Sequence, residues 1–228
     1  MPDTFVPGKV DYEGAMSRAF NDGRALSSDS LRVWRAALEP HLARANTILD
    51  VGSGTGRFAL LIAGWFGATV VGIEPAGGMR QVAARSRTHA NTFYVGGTAE
   101  HVPLRSESVD AALLSNVYHH IANKRRGIAE LCRVVRPDGR VLIRGAFAGR
   151  LGEIALFDYF PEAKTVCEQF PSLEETVQAF SEAGFKFESV AQVVQQTCAS
   201  LAELAARTRL RADTSLALLT DKEFGARK

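Results

Sequence analysis

Ile48-Leu-Asp-Val-Gly-Ser-Gly-Thr-Gly56 is the stretch that decides the fold. A short apolar run carrying one acid, Asp50, meets glycine at every second position, 52, 54 and 56, and residues 58–66 then change to a helical apolar stripe. A strand that becomes a helix over so few residues needs backbone without Cβ. Glycine takes positive φ freely and lets a ligand approach the chain, while the first turn of the helix presents free N–H groups. A second apolar run ends at Glu74, 18 residues beyond Gly56. A carboxylate at that position can accept both hydroxyl protons of a ribose.

Working outward, the hydrophobic period switches repeatedly between short continuous apolar runs and helical stripes, the pattern of strands buried on both faces by crossover helices. Strands are expected at 47–51, 69–74, 92–96, 109–115 and 140–146, with helices at 58–66, 76–87 and 124–135 between them. The product is a doubly wound α/β sheet, mostly parallel. Pro137-Asp-Gly139 stops the last of these helices. Upstream, Ser27 or Ser28 can cap a helix whose Leu31, Trp34, Leu38 and Leu42 share one face. Downstream, Ser172-Leu-Glu-Glu175 and Ser200-Leu-Ala-Glu203 have the form of capping boxes, so two late helices start there. Residues 185–197, rich in Val, Phe and Gln, read as an edge strand or hairpin.

The 228 residues are 46% hydrophobic and 23% charged, ordinary globular usage that leaves room for one domain. Basic residues number 27 and acidic 25, so composition imposes no surface for polyanions. Three cysteines, 132, 167 and 198, form no C-x-x-C. They argue against disulfide or zinc frameworks and read as small buried apolar residues in a reducing compartment. Residues 1–8 hold no basic segment followed by an apolar stretch, so the expectation is no secretory leader and cytoplasmic residence. The most apolar run, residues 58–73, is 16 residues long and broken by Gly64, Gly67 and Thr69. That falls short of the roughly 18 that suggest a membrane span. Arginine outnumbers lysine 21 to 6 beside abundant alanine, a bias that points to GC-rich coding and a bacterial source.

The glycine spacing separates two cofactor classes. The dinucleotide fingerprint G-x-G-x-x-G needs glycine at 57 or 59, where Arg57 and Ala59 stand. G-x-G-x-G with Asp50 two residues ahead instead resembles class I S-adenosylmethionine-dependent methyltransferases. The likeness continues in Gly97-Thr-Ala-Glu-His-Val-Pro-Leu104, which is similar to the G-D-A-E-x-L-P-F stretch of the ubiquinone/menaquinone-type enzymes, with Thr98 where that family usually has Asp. It continues again in Ser108-Val-Asp-Ala-Ala-Leu-Leu-Ser115, in Tyr118-His-His-Ile121, and in Glu130-Leu-Cys-Arg-Val-Val-Arg-Pro-Asp-Gly-Arg140. The match spans residues 47–146.

The resemblance implies a seven-strand-type Rossmann-like sheet in a single domain: a helical lid over 1–45, a cofactor-binding core over 46–146 and a substrate-side cap with edge strands over 147–228. It implies S-adenosylmethionine as cofactor and S-adenosylhomocysteine as product. Asp50, Gly52, Ser53, Gly54 and Gly56 would wrap the methionine part, and Glu74, Pro75 and Met79 would follow at the ribose. Thr98, Ala99 and Glu100 would meet the adenine, with Ser115 at the tip of the fourth strand. Tyr12, Phe20 and Arg24 look like lid residues, Arg24 pairing with the cofactor carboxylate. His119 and His120 sit where ligands bind in open sheets, and a neutral imidazole there can take the acceptor's proton. Either histidine can be that base, with His120 the ordinary structural choice and His119 the wetter of the two.

Plainer readings stand beside these. Glu74 can cap the next helix, Arg24 can be a solvated helix end, Asp110 is a strand-entry residue, and both histidines can simply pack. Phe147, Phe157, Tyr159, Phe160 and Phe170 suit an apolar acceptor pocket or ordinary core. No metal ligand set is seen. The expected activity is methyl transfer to O, N or C of a small organic acceptor, in bacterial specialised metabolism. Asn/Asp-Pro-Pro-Tyr, typical of enzymes acting on base amino groups, is replaced by Ser115-Asn-Val-Tyr118. No nucleic-acid or membrane partner is expected, and the oligomeric state is open. The alternatives are a methyltransferase of RNA or protein, a nicotinamide oxidoreductase, and a non-methylating relative that catalyses a cyclisation.

Overall fold

Residues 48–51 are buried on both faces of a sheet, which a parallel arrangement requires. The computed structural model describes residues 10–86, 88–152 and 154–225. The opening stretch read for a leader, residues 1–8, and Arg87, the expected end of one helix, lie outside them. Five strands, β1 (Thr47–Val51), β2 (Thr69–Ile73), β3 (Thr92–Val95), β4 (Val109–Ser115) and β5 (Val135–Arg144), form one sheet in the order β3-β2-β1-β4-β5. All four pairings are parallel.

Helices α1 (Gly14–Gly23) and α2 (Ser28–Leu42) precede the sheet. Helices α3 (Arg57–Phe66), α4 (Gly77–Arg85) and α5 (Lys124–Val134) follow β1, β2 and β4. Side chains alternate across a strand, so neighbouring residues serve opposite cores. Leu49 and Val51 join Ile128 and Leu131 of α5 on one face, while Ile48 joins Ile62 of α3 and Leu38 and Leu42 of α2 on the other. Ser27 caps α2, its Oγ accepting the Ser30 N–H at 3.1 Å.

The C-terminal third is helical: α6 (Leu156–Tyr159), α7 (Pro161–Cys167), α8 (Leu173–Glu182), α9 (Leu201–Thr208), α10 (Thr214–Ala217) and α11 (Asp221–Gly225). The expected capping box opens α8, with Ser172 and Glu175 bonded reciprocally. Ser200 accepts the Glu203 N–H at 3.2 Å to start α9. Phe160, Val166 and Phe170 build a third, separate core with Leu216 and Phe224.

Three expectations are corrected. The sheet has five strands among the described residues rather than seven. Residues 185–197 form no ladder, and their Phe187, Val190 and Val194 stay 49%, 55% and 78% exposed. β-propensity measures fit to a pleated, half-buried surface, and these side chains stay in solvent instead of packing on one. Strand β5 begins at Val135: the 137–139 turn is an excursion between the pairs Val109–Val135 and Ala111–Arg140, with Asp138 at φ 65°. Of the three free cysteines, Cys167 is buried and Cys132 is exposed. Among the described residues no helix is long and apolar enough to cross a membrane, and no group of His, Cys, Asp or Glu is placed to hold a metal ion.

Candidate active site

The sheet order reverses at β1, whose successor β2 lies on one side and β4 on the other, and ligands of open α/β sheets bind at the carboxyl end of such a reversal. The glycine loop occupies that point. Gly52, Gly54 and Gly56 take φ of 64°, 55° and 75°, which only glycine adopts without strain. Their surroundings differ. A Cβ at Gly52 would lie 2.3 Å from Val117 Cγ2, and one at Gly56 would lie 2.3 Å from the Tyr94 hydroxyl. Above Gly54 the nearest atom is Phe20 Cε1, 4.0 Å away. Two glycines therefore let the turn pack, and the middle one faces open space beneath Phe20 of α1.

Glu74 locks this loop. Its Oε2 accepts the Gly54 N–H at 3.0 Å and its Oε1 the Ala76 N–H at 2.9 Å. The helix-cap reading of Glu74 thus describes what the side chain does in the chain: it holds the residue before α4 and the glycine loop together. Burial raises its pKa, which the two N–H donors pull back. Each carboxylate oxygen accepts more than one hydrogen bond, so capacity for ribose hydroxyls remains. Asp50, at the end of β1, is 1% exposed and its Oδ2 has no partner. Burial first, then the charge of Glu74, pushes its carboxyl up to about 7. Ser53 Oγ is likewise buried without a partner. A buried orphan carboxylate oxygen beside an open glycine cradle and a strand-end acid fits a ligand carrying both an ammonium group and a ribose, which S-adenosylmethionine has.

Thr55, which was not an expected ligand residue, donates its Oγ1 to Asn21 of α1 at 2.5 Å and ties α1 to the loop. The remaining expected residues divide. Pro75 is exposed, its carbonyl accepting from Arg80 at 2.7 Å, and Met79 is buried in α4. Ala99 is buried, whereas Thr98 uses its carbonyl for a tight turn to the His101 N–H at 3.1 Å. Glu100 is turned to the chain itself: Oε1 accepts the N–H groups of Ala122 and Asn123 at 3.1 and 3.2 Å. Ser115 Oγ accepts from Arg144 at 3.1 Å. Asp110 is the strand-entry residue, accepting the Asn46 and Thr47 N–H groups at 2.8 Å.

At the end of α1, Arg24 ion-pairs with Asp213, so a carboxylate of this chain already occupies part of its fork. Tyr12 joins a triangle in which its hydroxyl, His120 Nε2 and Thr214 Oγ1 lie 3.0 Å from one another. His119 stacks on Phe170, ring centroids 4.0 Å apart. The expected order of exposure is reversed: His119 is buried at 7% and His120 is half-buried. His119 nevertheless lines the cleft beside β5, together with Phe147, Phe157 and Phe170. Phe160 stacks on Phe224 in the core and Tyr159 is 44% exposed, so that aromatic group is split between pocket and packing. Burial and neighbouring cations push His119 down to about 2 and His120 down to about 4. Both imidazoles are neutral at working pH.

Sequence reasoning passed over Glu13, whose carboxylate accepts the Gly77 and Gly78 N–H groups at 2.6 Å and caps α4 from the lid. It also passed over Asn21, Asn116, Asp213 and Thr214, polar residues whose partners lie far along the chain. For Glu13 and Asn21 the one available signal was their place next to Tyr12 and Phe20.

Comparison with known proteins gives a consistent answer. Residues 49–143 match the family described as methyltransferase domain. An uncharacterized methyltransferase of Mycolicibacterium gilvum is 37% identical over 59% of this chain and 55% of its own length. A malonyl-[acyl-carrier protein] O-methyltransferase of Methylococcus capsulatus is 31% identical over 80% of this chain and 64% of its own. The chain therefore spans between about half and two thirds of these relatives. Among solved structures, an S-adenosylmethionine-dependent methyltransferase from Aquifex aeolicus shares the fold, with TM-score 0.65, 20% identity, and coverage of 81% of this chain and 94% of that one.

Proposed function

The chain belongs to the class I S-adenosylmethionine-dependent methyltransferases, and from that premise we propose that it moves a methyl group to a small organic acceptor. One observation carries the reading: Glu74 clamps the glycine loop open beside a buried carboxylate, Asp50, whose Oδ2 has no partner among the described residues. When bound, S-adenosylmethionine supplies an electrophilic methyl on a sulfonium centre.

The residues then have these roles. Asp50 holds the ammonium end, aided by Ser53 and the N–H groups around Gly52, Gly54 and Gly56. Glu74 takes the ribose hydroxyls, with Met79 beneath, and Ala99 beside Thr98 borders the adenine. Tyr12 and Phe20 close the lid, and the Tyr12–His120–Thr214 triangle keeps it against the tip of β4 and the C-terminal helices. His119, in the wall of the cleft, accepts the proton when the acceptor releases one. An imidazole held so far below its usual pKa is a weak base, so alignment at roughly 3 Å supplies most of the rate. An apolar cleft containing Phe147 and Phe170 supports a small-molecule acceptor, as does the O-methyltransferase named among the relatives.

Calorimetric titration with S-adenosylhomocysteine is the test, with NADH as the competitor. One S-adenosylhomocysteine site per chain and no NADH heat is the expected result. NADH binding as tight as S-adenosylhomocysteine overturns the class. S-adenosylhomocysteine formation from S-adenosylmethionine across a panel of phenols, amines and carboxylic acids then identifies the acceptor atom.

A further inference from the structure

Where the glycine loop runs into α3, two guanidinium groups approach the Phe58 ring at the carboxyl end of the sheet, and neither makes an ion pair among the described residues. Arg57 opens α3 and Arg144 ends β5. The Arg144 guanidinium lies over two rings, 4.2 Å from the centroid of Trp34 and 4.8 Å from that of Phe58, and the Arg57 guanidinium is 5.8 Å from the same Phe58 ring. Each spends one nitrogen on the chain: Arg144 donates to Ser115 Oγ and Arg57 to the Arg24 carbonyl. The Nε of each is buried without a partner. Among the described residues no carboxylate pairs with either. Some arginines elsewhere do find one, as in Arg133–Glu130, Arg207–Glu203 and Arg211–Asp221.

Burial of a charge is costly unless it is paired, and two adjacent cations add repulsion. The chain shows that strain: burial, then neighbouring arginines, pushes Arg144 down to about 9 and Arg57 down to about 10, still charged at neutral pH. An anion held between the two guanidinium groups would relieve both costs. The guanidinium fork matches the oxygens of carboxylate and phosphate two at a time. Both arginines line the cleft shared by Trp34, His119 and Phe170, whereas Gly52, Gly54, Gly56 and Glu74 do not.

We propose that Arg57 and Arg144 form an anion anchor for the methyl acceptor, which therefore carries a carboxylate or phosphate on an apolar body. Arg57 directly follows Gly56 and Arg144 ends β5, so the pair sits where the cleft meets the cofactor loop, and its place in the cleft wall beside Trp34, His119 and Phe170 is what points to the acceptor. This deepens the methyltransferase reading and rests on it for the word acceptor. The anion site itself stands on the arginine pair.

Thermal denaturation of the full chain tests it, with inorganic phosphate and benzoate as probes and benzamide as the uncharged control, each with and without saturating S-adenosylhomocysteine. The wild type should gain melting temperature saturably with phosphate and benzoate and not with benzamide. Arg144→Gln and Arg57→Gln should weaken that response by about tenfold or more, the loss of one charge-assisted bond, while S-adenosylhomocysteine affinity holds within about threefold. Arg144→Lys, which keeps the charge and loses the fork, should fall between and serves if the glutamine variant does not fold. A wild type indifferent to both anions, or variants that respond like it, overturns the proposal. So does phosphate competing with S-adenosylhomocysteine in a protein whose Arg144→Gln form loses cofactor affinity, because the arginines then serve the cofactor's own carboxylate. Failure of the methyltransferase reading appears separately, as no S-adenosylhomocysteine binding, and the titrations without it still report on the pair.

Discussion

Replacing Asp50 by asparagine should make the ligand-free protein more stable and its cofactor site weaker. The carboxyl is 1% exposed and raised from 3.8 to about 7, chiefly by burial. Between those two values the folded state holds a proton that the unfolded chain has released, so linkage makes stability fall as pH rises through this window. At pH 8 the whole shift counts, about 4 kcal/mol at 1.36 kcal/mol per unit; at pH 5 less than half of it does. The stability gap between Asp50→Asn and wild type should therefore widen by about 2.5 kcal/mol from pH 5 to pH 8. For a chain of this size that is a relative gain of about 5–10 °C in melting temperature.

The comparison has to be a difference between the two proteins, since the buried histidines act in the opposite direction below pH 6.5 and cancel only there. Differential scanning calorimetry at half-unit pH steps, without ligand, measures it. S-adenosylhomocysteine titrated into the same samples at pH 8 should bind the variant about 10- to 150-fold more weakly, the loss of a charge-assisted bond. Melting curves that stay parallel from pH 5 to pH 8 would refute a raised Asp50, whatever the binding result.

Other outcomes follow from the same geometry. Glu74→Ala removes two charge-assisted bonds to backbone N–H groups and should cost about 2–4 kcal/mol of stability as well as cofactor affinity, read by urea unfolding and calorimetric titration. Loss of affinity with unchanged stability would mean the clamp is not structural. Gly54→Val should give a folded protein without cofactor binding, whereas Gly52→Val should fail to fold stably because Val117 fills the space its Cβ needs; solubility and circular dichroism separate the two. His119 and His120, lowered to about 2 and about 4, bind fewer protons folded than unfolded below pH 6.5. Their contribution is present above that pH and should decay by about 2 kcal/mol each by pH 5, and His119→Phe should remove its share; equal acid sensitivity in that variant sinks the assignment. With an acceptor in hand, His119→Ala should lower kcat by less than about 100-fold, because the imidazole is a weak base.

Much of this was legible because the informative signals were local. Residues 109–115 and 124–134 carry their period within a dozen positions, so β4 was placed to the residue and α5 to within one. Asp50, the glycines and Glu74 lie within one βαβ unit, where spacing alone constrains geometry. What escaped notice depends on sequence separation. Tyr12, His120 and Thr214 are brought together over 108 and 202 positions, and nothing in a neighbouring residue announces such a triangle. Arg57 and Arg144 fall in ordinary helix-start and strand-end positions and become a pair only through Trp34 and Phe58. Residues 185–197 mislead for the converse reason: β-propensity is local, but pairing is a property of the edge it must meet.

The Glu74 clamp also bears on how binding should be felt thermodynamically. By joining Gly54 to the end of β2 across 20 residues, it closes the glycine loop into a small ring when the chain folds. The conformational entropy of that loop is thus lost during folding, before any ligand arrives, and binding need not order it again. Cofactor association should accordingly show a heat-capacity change no larger than the apolar area it covers, and an on-rate set by the lid rather than by the loop.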